Sequence, residues 1–177
     1  MRLIDISPPV DEGIAVWPGD VPYTRRSTQS LAEGDTVELS AITTTLHLGA
    51  HADAPSHYAL GGASIAERPL AHYYGPCEVV AVGLPAGERI RPEHLPSLPA
   101  APRVLFRTGS YPDPTRFERD FNSLSPELIE ALAARGCVLV GIDTPSVDPC
   151  DDKVLETHQA LARHDVANLE GLVLAHV

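Results

Sequence analysis

The segment that most constrains the backbone of this chain is Thr45-Leu-His-Leu-Gly-Ala-His-Ala-Asp-Ala-Pro-Ser-His57. His47, His51, Asp53 and His57 are all odd-numbered, and Leu46, Leu48, Ala50, Ala52 and Ala54 alternate with them. In an extended chain successive side chains face opposite ways, so the polar set shares one face and the apolar set the other. A helix fits worse: at ~100° per residue Asp53 falls well round from His47, and Thr43-Thr44-Thr45 favours a strand. A straight strand would hold His47 and His51 ~13 Å apart at ~3.3 Å per residue. That is too far for two imidazoles to share one ion at ~2 Å. A strand end running into a curved loop is therefore expected, with the bend at Gly49. Imidazole and carboxylate suit borderline divalent cations such as zinc. Three of the eight histidines fall within these residues, and the cluster reads as a metal site.

At 177 residues the expected organisation is one domain over 1–177 with its own core. Apolar residues make up 44%, which argues for a globular fold and against disorder. Thirteen basic against twenty-four acidic residues leave a net charge of −11, disfavouring nucleic acid and anionic membrane surfaces as partners. No stretch approaches the ~18 apolar residues of a membrane span, and the N-terminus lacks a signal-peptide pattern. A cytoplasmic location is expected. Cys77, Cys137 and Cys150 form no Cys-x-x-Cys pair, so neither a disulfide framework nor a thiolate zinc site is expected. Cys77 and Cys137 each open an apolar run, where a free thiol is usually buried.

Strands are expected at Leu3–Ser7, Val37–Leu46, Glu78–Leu84, Val104–Thr108, Val138–Asp143 and Leu172–His176. The runs from Glu78 and Val138 are almost continuously apolar, as in strands covered on both faces. Ser125–Gly136 carries a complete set of helix signals: Ser125 to cap it, Pro126 in the first turn, Glu127 for the dipole and Gly136 to close it. A second helix is expected over Lys153–Arg163, with Leu155 and Leu161 inward and His158 on a different side. Strand, helix and strand in succession give an α/β fold with a mixed β-sheet and packed helices.

With these residues in hand, the chain resembles the bacterial kynurenine formamidases (arylformamidases) of the metal-dependent cyclase family. The family signature His-x-Gly-x-His-x-Asp-x-Pro-x-His appears as His47-Leu-Gly-Ala-His51-Ala-Asp53-Ala-Pro-Ser-His57. Trp17-Pro-Gly-Asp20, Phe106-Arg-Thr-Gly-Ser110, Gly141-Ile-Asp-Thr-Pro-Ser-Val-Asp148 and Leu169-Glu170-Gly-Leu172 resemble further family segments. The resemblance implies the swivelling β/β/α type of fold and a homodimer. It implies two divalent ions, zinc first, with manganese or cobalt also acceptable to such ligands. His47 and His51 would hold one ion, His158 the other, and Asp53 and Glu170 would bridge them. His57 would carry protons, and Trp17 would contact the aromatic part of the substrate. Relatives continue past the region of Glu170, so a C-terminal tail is expected beyond the last residue here.

The implied reaction is hydrolysis of N-formyl-L-kynurenine, an aromatic formamide, to L-kynurenine and formate in tryptophan breakdown, by metal-activated water. The formyl group is small, so recognition rests on the ring and the amino-acid tail, with Arg107 a candidate for the carboxylate. No Gly-x-Ser-x-Gly elbow is present, which counts against a serine-hydrolase route. Asp143 is expected to order the Thr144-Pro145 turn rather than join the chemistry. Two alternatives stand beside this reading: a sibling cyclic-amide hydrolase, such as an isatin hydrolase, and a non-catalytic zinc-binding protein.

Overall fold

Through residues 2–177, which the computed structural model describes, the elements run as follows. First come β1 (Thr24–Gln29), β2 (Leu39–Thr43), β3 (His51–Ala52), α1 (Pro55–Tyr58), β4 (Glu78–Ala81) and β5 (Arg89–Ile90). Then follow β6 (Arg103–Arg107), β7 (Ser123–Leu124), α2 (Pro126–Ala133), β8 (Leu139–Ile142), α3 (Glu156–His164) and β9 (Ala167–Glu170). Five strands make one mixed sheet in the order β3-β9-β8-β6-β4. Within it β4, β6, β8 and β9 run parallel, and β3 lies antiparallel to β9. The fold is the α/β class with a mixed sheet that the alternation of elements indicated.

Alternation along β6 and β8 divides the core between the two faces of the sheet. Val104, Phe106, Val140 and Ile142 pack against Leu128, Ile129 and Leu132 of α2 and Ala160 and Leu161 of α3. On the opposite face Leu105 and Leu139 join Ala167, Leu172 and Leu174, with Ile6 and Ala50 packed alongside. Packing is tight at Gly141, where an added Cβ would stand 2.5 Å from Cδ2 of Leu105 on the neighbouring strand and 2.9 Å from Leu172 Cδ1. Helix α2 follows its sequence cues: Ser125 Oγ accepts from the Leu128 N–H at 3.2 Å, and Gly136 takes a φ of 87° beyond the last turn.

Several expectations are corrected. Leu3–Ser7 forms no strand; its Ile6 carbonyl accepts from the Val173 N–H at 2.8 Å. Leu172–His176 is also irregular, and the strand there is β9, just upstream. The apolar run from Glu78 is not covered on both faces. Strand β4 is the sheet edge, and its Val79 is 37% exposed. Cys77 is exposed, whereas Cys137 is buried; all three cysteines are free. Strands β1 and β2 pair as an antiparallel hairpin that is exposed along its length. No helix among the described residues is long and apolar enough to cross a membrane.

Candidate metal centre

The expected bend lies at Gly49, which has a φ of 57°. A Cβ there would meet Pro8 and Ile14 side chains at 3.1 Å, so glycine suits both the backbone and the space. The segment 45–57 is less extended than its parity implies. Only His51 and Ala52 are strand, His57 sits on the single turn α1, and Leu46 is 91% exposed rather than turned inward. Strand β3 pairs with the end of β9 so that His51 stands opposite Glu170 and Ala52 opposite Leu169. His158 comes from the first turn of α3. Hence β3, β9, α3 and the turn before β3 converge on one point.

Two poles result. At the first, His47 Nδ1 lies 2.9 Å and His51 Nε2 3.4 Å from Asp53 Oδ1, and the two imidazole nitrogens are 3.2 Å apart. Glu170 Oε2 is 3.8 Å from His51 Nε2. At the second, His158 Nε2 lies 3.3 Å from Asp53 Oδ2 and 3.4 Å from Glu170 Oε1. Each carboxylate thus turns one oxygen to each pole. His57 stands outside this set: its ring centroid is 4.1 Å from that of His47, and the residue is exposed. His47, Asp53 and His57 also lie close enough to share an ion, as do His51, Asp53 and Glu170.

Asp53 and Glu170 are 2% and 4% exposed. Two buried carboxylates this close are costly without positive charge. Asp53 Oδ1 is buried and accepts no hydrogen bond; the imidazoles beside it are near enough for an ion pair but not aligned to donate. Imidazole nitrogens and an unpartnered carboxylate oxygen converge there, a donor set that suits a cation. The charge balance agrees. Burial would lower the His158 pKa, yet Asp148, Asp53 and Glu170 push it up to about 12. Burial would likewise raise Asp53, but His158 and the other imidazoles hold it well below the usual carboxylate range. The donor set therefore fits a divalent cation.

Three residues to which the sequence gave no role support the candidate ligands. Asn168, on the same face of β9 as Glu170, donates from Nδ2 to Asp53 Oδ2 at 2.9 Å and Glu170 Oε1 at 3.4 Å. The Val147 N–H donates to Glu170 Oε1 at 2.8 Å. Asp148 accepts from His158 Nδ1 at 2.7 Å. The i, i+2 spacing of Asn168 and Glu170 was a readable signal; Val147 and Asp148 end the Gly141–Asp148 segment that the resemblance picked out, which gave neither of them a role.

Beside the first pole opens a cavity of about 290 Å³, near the lower end of small-molecule sites. His47 and His51 form its floor, and Trp17, Tyr111, Phe117 and several prolines its walls. Trp17 is held edge-to-face against Phe117 with ring centroids 5.1 Å apart, giving a fixed aromatic surface. Arg107 does not line it; its Nη1 donates to the Val177 carbonyl at 2.6 Å. Asp143 accepts from the Thr108 and Gly109 N–H groups at 2.9 to 3.0 Å, so it orders the 108–109 loop rather than the Thr144-Pro145 turn.

The Cyclase family model, described as putative cyclase, matches residues 4–149. The chain is 46% identical to a kynurenine formamidase of Bordetella pertussis, covering 99% of this chain and 85% of that protein. It is 43% identical to a kynurenine formamidase of Bordetella avium over 98% of this chain and 83% of that protein. Among solved structures it resembles a potential metal-dependent hydrolase with cyclase activity, with a TM-score of 0.80 and 27% identity over 98% of this chain and 83% of that one. Isatin hydrolase A of Labrenzia aggregata shares the fold at a TM-score of 0.73 and 20% identity over 98% and 81%.

Proposed function

The chain belongs to the Cyclase family, and from that premise we propose that it hydrolyses N-formyl-L-kynurenine to L-kynurenine and formate. The observation that carries this reading is 43% to 46% identity, over nearly the whole chain, to bacterial kynurenine formamidases. The likeness to isatin hydrolases is one of fold, so ring-opening of isatin remains the sibling reaction to test against.

In this reading His47 and His51 would hold one divalent cation and His158 a second, with Asp53 and Glu170 offering one oxygen to each. The two-pole arrangement of those oxygens supports the assignment. A divalent cation held there supplies Lewis acidity, polarising the formyl carbonyl and bringing the pKa of water towards ~7. Trp17 and the aromatic walls receive the substrate ring and place the formyl group over His47 and His51. His57 moves the proton. Burial and neighbouring His47 keep its pKa below the usual histidine value, so its imidazole is neutral at pH 7 and free to accept a proton from the attacking water. It then delivers that proton to the anilide nitrogen, which cannot leave as an anion.

The reading extends to two zinc ions per chain, a homodimer and a cytoplasmic setting, as the resemblance implies. Purified, zinc-loaded protein should release L-kynurenine from N-formyl-L-kynurenine and leave isatin largely intact. Rapid isatin opening with no formamide cleavage would overturn the proposal. Elemental analysis returning no bound metal would overturn the site assignment.

A further inference from the structure

We propose that Asp148, braced by Arg89, is the positioning residue that fixes the His158 ring with Nε2 turned towards Asp53 and Glu170. The inference rests on the reading that His158 ligates a cation, and it concerns a residue outside the ligand set.

Asp148 is fully buried. Its Oδ2 accepts from His158 Nδ1 at 2.7 Å and from the His158 backbone N–H at 3.0 Å. Its Oδ1 accepts from the Thr157 N–H at 2.9 Å. One carboxylate therefore grips both the ring and the backbone that carries it. A carboxylate facing Nδ1 holds the proton on that nitrogen and leaves the Nε2 lone pair free for a cation. Nε2 is the atom that stands 3.3 Å from Asp53 Oδ2 and 3.4 Å from Glu170 Oε1.

A carboxylate without exposure needs a compensating charge, and Arg89 of β5 provides it. Arg89 Nη2 lies 3.4 Å from Asp148 Oδ1 and 2.5 Å from Asp152 Oδ2, and Nη1 lies 2.8 Å from Glu156 Oε2. One guanidinium thus ties together the loop from Asp148 to the start of α3. Helix capping alone does not account for this arrangement. The position before α3 is Leu155, whose side chain accepts nothing and whose φ is 56°. Asp148 reaches in from further back along the chain and takes the imidazole as well as the two backbone amides.

Zinc titration of the metal-stripped protein against a chromophoric chelator, with and without Asp148→Asn, tests this. The expected result is a loss of roughly 10- to 100-fold in affinity for one of the bound zinc ions. Affinities within twofold of the unaltered protein, with thermal stability lowered, would reduce Asp148 to a helix cap and overturn the proposal. Nitrogen-15 histidine spectra of the unaltered, zinc-loaded protein give a check that does not depend on the variant folding. His158 should be protonated at Nδ1 and metal-bound at Nε2, and the opposite arrangement overturns the proposal. An unaltered protein that takes up no zinc would instead overturn the site reading beneath it.

Discussion

His57 differs from its neighbours in the signature by being exposed, at the solvent side of the first pole against the His47 ring. His57→Ala is therefore expected to keep zinc content and thermal stability close to the unaltered protein. It should lower kcat by roughly 10²- to 10⁴-fold, the contribution usual for general acid–base groups. Paired elemental analysis and turnover measurements check this, and loss of zinc would make His57 a ligand. At this scale the sequence was legible where several ligand types crowd one short segment, as from His47 to His57. It was less so where a role depends on a distant partner. His158 looks like an ordinary helix residue until β9 brings Glu170 beside it, and Asp148 acquires meaning only from the fold of the loop between it and α3.

Among the elements, β9 meets β3 at a very close backbone approach. Gly171 has a φ of 67°, and a Cβ on it would lie 2.1 Å from the Gly49 carbonyl oxygen. Gly171→Ala must shift β3 or β9, with a cost of about 2 kcal/mol or more. The expected outcome is a lower urea midpoint together with reduced zinc content. The cap of α2 is independent of the site: Ser125→Ala should cost about 1 kcal/mol, move the urea midpoint with its slope unchanged, and leave turnover per folded molecule intact. Helix α2 was readable end to end because cap, first-turn proline, apolar stripe and closing glycine all agree. Strand β9 was hidden because Asn168 and Glu170 occupy positions where a buried strand ordinarily carries apolar side chains. The apolar stretch just beyond it drew the expectation to Leu172–His176. Strand β4 misled in the other direction, since it is an edge strand whose Val79 and Ala81 are exposed while only Val80 packs on the core.

For the molecule as a whole, a bound cation contributes stability by mass action. With free zinc at a hundred times Kd, one site adds about 2.7 kcal/mol. Removing the metal should then lower Tm by roughly 5 to 10 °C in a protein of this size. Calorimetry before and after chelation, with zinc restored, measures the shift; an unchanged Tm would argue against ligation by these residues. The overall class could be anticipated from alternating strands and helices. The fully exposed hairpin of β1 and β2 could not, because its residues obey no burial pattern. Strand β3 has a broader consequence. A ladder of two residues cannot keep its own register, yet it joins the N-terminal part of the chain to the last strand of the sheet. If His51 and Glu170 grip a common ion across that ladder, the ion is also the clasp. A cell starved of zinc would then lose more than turnover, because the unfastened polypeptide would be exposed to its proteases.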